Sequence, residues 1–397
     1  MSTPNPLPET EALSLSLVRN DLLFRMQRRV GLIPADGLGV VRRAIFWPLF
    51  AWLPIAAWAW YQGRMMGPSG DESLLAHFGV HVRLLVALPL FILAEGFTHR
   101  LTTRLIPYFV TSGVVPQAEV PRFRQALAST ARLRDGTLPW IVILAIVVVN
   151  ATLPQATSSL HEVVWAIGGD ETAPRFGFGA WWFLYVARAL FAMLLLGWLW
   201  RVVLVGVLFW RVTQFPLSIV PTHPDRTGGL GFIAYLPVAF APVVLGIGCV
   251  LGAQWAHDLV YHGVTVKALQ WQMGAFVVVA LLVFLSPLLV FARPLARAKT
   301  QALLDYGALV GGHGRLVRQR WIEKHEIEDA AVLDAPELGP VADTVALYQA
   351  VENMLPIPLS KATVAPLVLA AALPMLLVAA IQVPIAELLK ALLGALI

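Results

Sequence analysis

Residues 180–210 form an apolar run of 31 residues that charge interrupts only at Arg188 and Arg201. As a helix rising 1.5 Å per residue it would be roughly 46 Å long, against a hydrocarbon core of about 30 Å. A run of that length and composition belongs in a bilayer, where a helix satisfies its own backbone hydrogen bonds. Six further runs, roughly 44–62, 79–97, 138–154, 231–254, 270–292 and 363–383, are long enough for the same role. Charged residues make up 13% of the chain, well below the roughly 25% usual in soluble domains. The predicted fold class is therefore all-α, a polytopic membrane protein of about seven transmembrane helices with a small helical cytoplasmic segment. Trp47, Tyr61, Trp140, Trp181, Trp182, Trp210, Trp255 and Trp271 mark span ends, as interfacial aromatics do.

Lysine and arginine set the orientation, because cytoplasmic loops carry their excess. With the N-terminus inside, the inside segments hold 22 basic residues and the outside segments hold four, Arg64, Arg175, Lys267 and Lys390. The organisation that follows has a cytoplasmic basic amphipathic segment over 1–43 and a six-helix region over 44–292 with an inside loop at 99–137. A cytoplasmic helical segment over 293–361 comes next, then a seventh span and an interfacial C-terminal helix over 362–397, with the C-terminus periplasmic. Pro366, Pro374 and Pro384 make the seventh span a candidate for re-entry. Residues 1–30 lack the apolar stretch and cleavage site of a signal peptide. Instead Arg19, Arg25, Arg28 and Arg29 stand among Leu15, Val18, Leu22, Met26 and Val30 at helical spacing, the pattern of a helix lying on an anionic leaflet. Arg315, Arg318 and Arg320 extend that expectation to the later segment. The partners expected are the bilayer and anionic lipid headgroups; the basic excess follows from the orientation bias and calls for no nucleic acid.

An ionisable side chain within a span is costly, by about 2.5–3.5 kcal/mol on insertion scales, and so marks a function or a partner. Arg188 and Arg201 are 13 residues apart, roughly 220° around a helix, so they face nearly opposite sides: one toward the bundle, the other toward headgroups. Arg83 and Glu95 in the second span are separated by about 18 Å of rise and cannot pair with each other. By depth Glu95 matches Arg201, which predicts an ion pair between the second and fourth spans. Such a pair either fixes packing or lines the path of a charged solute, and Glu95, Arg188 and Arg201 are the candidates for that path.

The densest cluster of special residues is "PTHPDRTGGLGF", residues 221–232, between the fourth and fifth spans. Its prolines restrict the backbone to extended and turn conformations, and Asp225 suits an Asx turn or helix cap. Gly228 and Gly229 allow positive φ or a close approach. N–H groups at the start of the following helix, with Arg226 beside them, make an anion site plausible on electrostatic grounds. His223, Asp225, Arg226, Gly228 and Gly229 are thus candidates for a ligand or gating loop, and a rigid re-entry turn is the plainer alternative.

The remaining histidines gather on the outer side. His77 and His81 are four apart, one face of a helix and a spacing that can chelate a metal; "HDLVYH" adds His257, Asp258 and His262. No "HExxH" and no cysteine partner accompanies them, since Cys249 is alone and sits in an apolar run. "GGHG" at 311–314 lacks the lysine and hydroxyl of a P-loop, and no nucleophile elbow is present. No cofactor is predicted.

The stretches "HPDRTGGLGF", "ADTVALYQAVENMLPIPLSK" and "ALPMLLVAAIQVPIAELLKALLG" together resemble a group of uncharacterised bacterial multi-pass inner-membrane proteins, over roughly residues 215–397. The resemblance implies a bacterial cytoplasmic membrane setting and brings no catalytic residues with it. Three function classes stand in order. A channel or carrier for an ion or small, anionic solute comes first, with an oligomeric assembly and prolines such as Pro48, Pro54 and Pro89 bending the spans. A membrane-anchored scaffold or sensor acting through the cytoplasmic segment comes second. An enzyme comes third, since no reactive pair stands at a recognised spacing.

Overall fold

The computed structural model describes residues 13–35, 37–66, 73–152, 163–168, 175–325 and 339–384. Apart from a two-residue antiparallel pairing of Ile167 and Gly168 with Phe176 and Arg175, it is helical. We number the helices α1 (Leu22–Arg29), α2 (Val40–Tyr61), α3 (Phe78–Thr111), α4 (Val120–Asp135), α5 (Leu138–Thr152), α6 (Phe178–Val212), α7 (Gly231–Tyr261), α8 (Val266–Leu289), α9 (Ala292–Val317), α10 (Gly339–Glu352) and α11 (Lys361–Ala379). The seven helical segments long and apolar enough to cross a membrane are α2, α3, α4 with α5, α6, α7, α8 and α11. The chain is thus a polytopic α-helical membrane protein.

Loops segregate to two ends, as antiparallel successive spans require. At one end the Ser218 N–H donates to Val114 O at 2.8 Å, Arg25 reaches Asp135 O at 2.9 Å, and the Leu355 N–H donates to Arg226 O at 2.7 Å. At the other, His257 meets Ala76 O at 3.1 Å and Gln382 bonds both Val264 and Val266. The first end carries nearly all the loop arginines and the second carries His77, His257 and His262, so they are called here the Arg-rich and His-rich ends.

Several predicted boundaries are corrected. The inside loop at 99–137 is mostly helix: α3 continues to Thr111, and α4 occupies 120–135. Hydropathy falls at Thr98 because the chain leaves the apolar zone, not because the helix stops. α3 and α6 each contain one widened π-type turn, at Val82–Ala87 and Phe183–Ala187. Between these turns the Arg83 guanidinium lies 5.7 Å from the ring centres of both Phe183 and Phe191. α7 opens with a ten-residue 3₁₀ stretch, Gly231–Phe240, before becoming α-helical. The seventh span is a continuous helix, α11, started by a capping box between Ser360 and Thr363 and running through Pro366 and Pro374. Re-entry is therefore excluded over Lys361–Ala379. The expected interfacial C-terminal helix lies outside the described residues.

α7 is the most enclosed helix and packs chiefly against α11 and α3. Small residues allow this: a Cβ on Gly252 would stand 3.3 Å from Val378 and 3.4 Å from the Pro374 carbonyl. Close approach of backbones is how spans gain dispersion energy where no hydrophobic force drives them together. The core between α3, α6 and α7 is filled by Phe91, Trp198, Phe240, Val243 and Val244, all at most 1% exposed. α9 and α10 pair with each other at the Arg-rich end. Lys299 of α9 clamps the pair, its Nζ donating to Glu352 O and Met354 O at the end of α10, both at 2.8 Å, and the Leu355 N–H ties it to the bundle through Arg226 O.

Candidate functional site

Four elements converge on Glu95. Arg43, in the first turn of α2, donates to Glu95 Oε2 at 2.6 Å, and Arg201, midway along α6, donates to Oε1 at 2.8 Å. Arg201 Nη2 also donates to Asp21 Oδ2 at 3.0 Å. Asp21 caps α1, accepting the Phe24 N–H at 2.7 Å with its other oxygen. Gln27 Oε1, one turn on, accepts from Arg43 Nε and from Trp47 Nε1 at 3.2 Å. Asp21, Arg43, Glu95 and Arg201 are each 2–3% exposed. Two arginines and two carboxylates balance in formal charge, and the Arg201 guanidinium rests 4.6 Å from the Trp198 ring centre, a cation–π contact that strengthens when water is excluded. Burial raises the Asp21 carboxyl above its ordinary range, against the lowering pull of Arg201, while Glu95 pushes it up further.

The predicted Glu95–Arg201 pair is thus present, as part of a larger network. Arg188 faces elsewhere, with Nη2 3.4 Å from Asn150 Oδ1 on α5, which fits the opposite-face geometry expected of the two arginines. Sequence reasoning missed Asp21, Gln27 and Arg43. Arg43 was assigned to the inside flank, yet it is buried. The 1–43 segment does not simply lie on a leaflet: α1 sinks Phe24 and Gln27 into the bundle and leaves Arg25, Arg28 and Arg29 exposed. The missed signal was Asp21 itself, a lone acid just before the amphipathic "LLFRMQRR", where an N-cap belongs.

The 221–232 loop is built around Asp225. Its carboxylate accepts the N–H groups of Thr227 at 2.8 Å, Gly229 at 3.2 Å and Gly231 at 2.7 Å, and His223 Nδ1 lies 2.9 Å from Oδ1. Partial burial raises its pKa, but these donors outweigh burial and hold the group below the usual carboxylate range. Arg226, Gly228 and Gly229 take positive φ, at 59°, 66° and 93°. A Cβ on Gly228 would come within 2.3 Å of Ile219 Cγ2. The anion position expected at the start of α7 is therefore filled by the chain's own carboxylate. Arg226 is exposed and enters the fold through its carbonyl, which takes the Leu355 N–H. Beside the loop is a half-open cavity of about 520 Å³ whose walls include Tyr108, Ser218, His223 and Ser360.

At the His-rich end the four suggested metal ligands do not assemble. His77 and His257 lie with ring centres 5.2 Å apart, and each is held by a backbone carbonyl through Nδ1. His81 turns to α2, where its Nδ1 accepts from Trp52 Nε1 at 3.0 Å and its Nε2 donates to Leu74 O at 2.9 Å. Both its ring nitrogens are thereby used. Among the described residues no three His, Cys, Asp or Glu side chains gather as a metal site.

A second polar cavity, about 740 Å³ and open at the Arg-rich end, lies beneath the buried network. Ser16, Arg19 and Asn20 line it from the stretch before α1, His99 and Arg104 from α3, and Arg134 from α4. Comparison with protein-family models, curated proteins and solved structures gave no match. The class defined by the fold is an integral, multi-pass α-helical membrane protein, and its function has to be argued from this geometry.

Proposed function

We propose that the protein is a membrane-embedded scaffold or sensor, with a closed helical bundle as its anchor and its working surfaces at the Arg-rich end. The observation that carries this reading is the buried network of Asp21, Arg43, Glu95 and Arg201, whose formal charges balance. A conduit through α3, α6 and α7 calls for Arg188 or Arg201 on a wetted path. Arg201 is instead 3% exposed, held by two carboxylates and stacked on Trp198. Both bonds leave from Nη2, so it is burial between helices, and not saturation of its donors, that argues against a wetted path at Arg201. Its depth explains why it is paired, since an unpaired one would be expelled or would unfold the span.

The setting we infer is the bacterial cytoplasmic membrane with the Arg-rich end facing the cytoplasm, supported by the 22-to-4 distribution of basic residues and the orientation rule. Arg25, Arg28 and Arg29 on the exposed face of α1 favour contact with anionic lipid headgroups, each worth about 1 kcal/mol near such a surface. The helical pair α9–α10, clamped by Lys299, is the surface offered to a partner on that side.

The test is ion flux. Purified protein in liposomes, assayed for anion and cation passage, should be as tight as vesicles without protein, for wild type and for Arg188→Gln and Arg201→Gln alike. Wild-type flux that disappears or changes selectivity in either variant would restore the channel or carrier reading and place that arginine on the path.

A further inference from the structure

Among the described residues, the cavity beneath the network has walls of one sign: Arg19, Arg104 and Arg134 line it with His99, and no carboxylate is among them. Arg134 is fixed, 7% exposed, with Nε 2.7 Å from Asp135 Oδ1 and Nη1 on the Ser16 carbonyl. Ser16 ties the wall together. Its hydroxyl accepts the Val18 and Arg19 N–H groups at 3.3 and 3.1 Å and meets His99 Nδ1 at 2.8 Å. Arg19 and Arg104 are exposed at the rim, and neither guanidinium meets a carboxylate among the described residues. A rigid basic wall thus carries two uncommitted guanidinium forks and nearby hydroxyls, including Thr103. Guanidinium forks match the oxygen spacing of a phosphoryl group and bond it bidentately.

We propose that this cavity binds a phosphoryl group, with Arg19 and Arg104 as its charged donors. The proposal rests on the sensor reading and names its ligand class; the group belongs either to a soluble phosphate compound or to the headgroup of an acidic phospholipid. The position suits a sensor. Arg19 and Asn20 run directly into Asp21, and Asn20 holds a left-handed φ of 71°, so the residues that would meet the ligand continue into the contact with Arg201.

The experiment uses the full chain in phosphatidylcholine nanodiscs and follows its melting midpoint. One arm titrates inorganic phosphate against chloride at constant ionic strength; the other replaces part of the lipid with phosphatidic acid. The expected result is a rise in the midpoint in at least one arm, because a ligand that binds only the folded state stabilises it. A rise with inorganic phosphate identifies a soluble ligand, and a rise only with phosphatidic acid identifies a headgroup. Arg19→Gln and Arg104→Gln lie outside the buried network and should melt like wild type without ligand. Each should weaken apparent affinity roughly tenfold, about 1.4 kcal/mol. No rise in either arm, or a rise in the Arg19→Gln and Arg104→Gln variants equal to that of wild type, would overturn the proposal. Either result is independent of ion flux: leaky vesicles would sink the sensor reading without touching the binding data, and absent binding would remove the ligand while leaving a tight bilayer.

Discussion

Glu95 and Asp225 are both carboxylates that organise their surroundings, and they do so by opposite means. Glu95 is buried between helices toward the Arg-rich end of the bundle and is neutralised by arginines from two other helices, one of which also holds Asp21. Asp225 sits in a loop and is satisfied by three N–H groups within six residues of itself. The first joins parts of the chain separated by as many as 180 residues; the second folds one turn. A fully buried charge incurs a large desolvation cost, which an opposite charge with good hydrogen-bond geometry offsets. A half-buried one needs only oriented dipoles. Burial, 2% exposed for Glu95 against 21% for Asp225, decides which solution the chain uses, and it should also decide what each carboxylate is worth.

The largest effect is expected in the buried network. Glu95→Gln leaves Arg43 and Arg201 buried with only Asp21 to balance them, and Arg201→Leu leaves both acids short of a partner. Removing one member of a buried pair costs about 3–5 kcal/mol. Reversible unfolding in mixed micelles should show losses of that size, while Arg64→Leu, whose guanidinium lies 3.5 Å from Trp165 O at the His-rich end, should change little. Equal losses at Arg64 and Arg201 would reduce the network to an ordinary set of contacts.

Gly228→Val comes next. It combines a β-branched residue at φ +66° with a Cβ that would stand 2.3 Å from Ile219 Cγ2. The strain alone is about 1–3 kcal/mol. The loss should appear in unfolding, and the exchange protection of the Val220 N–H, which bonds Gly228 O at 3.1 Å, should fall with it. Wild-type protection in the variant would make the loop a tolerant linker.

How much of this was legible follows the same division. Glu95 and Arg201 could be matched from sequence because each is an isolated charge in an apolar run and rise per residue gives its depth. Asp21, Gln27 and Arg43 could not, because they lie in a segment that hydropathy places outside the spans, and only the docking of α1 buries them. Asp225 was legible as a turn residue, since that bond pattern is local. Its capture of the Gly231 N–H depended on φ values at Arg226, Gly228 and Gly229 that composition allows without specifying. Helix ends were misjudged for a related reason. A hydropathy window reports where the bilayer ends, and α3 and α4 remain helical beyond it on backbone hydrogen bonds that need no lipid.

Asp225→Asn should cost less than Gly228→Val, about 1–2 kcal/mol, since a charged acceptor is lost at a partly wetted site. Its clearer signature is pH. The folded-state pKa of Asp225 is depressed, so its stabilisation is fully present above the unfolded value of about 3.9. It is lost as pH falls through the lower folded value. Wild type should therefore lose part of its melting temperature on acidification below that point, and the Asn variant should show a shallower slope over the same window. Identical slopes would mean that the three N–H donors do not favour the ionised form.

The smallest effect is expected at Asp21, and it sharpens the comparison most. Burial raises this carboxyl, and Glu95 adds to the rise against the pull of Arg201 and the Phe24 N–H. A folded pKa above the unfolded one means that ionisation works against the fold: stability from this group falls as pH climbs from about 3.9 toward the folded value. Asn at this position relieves that cost, keeps an oxygen for Arg201, and caps a helix as well as Asp does. Asp21→Asn should thus change stability by less than about 1 kcal/mol, whereas Asp21→Ala, which removes the cap, should cost about 1 kcal/mol more. A loss at Asp21→Asn equal to that at Glu95→Gln would show that both acids carry the network equally, and that the charge on α1 is what locks the N-terminal helix onto the bundle.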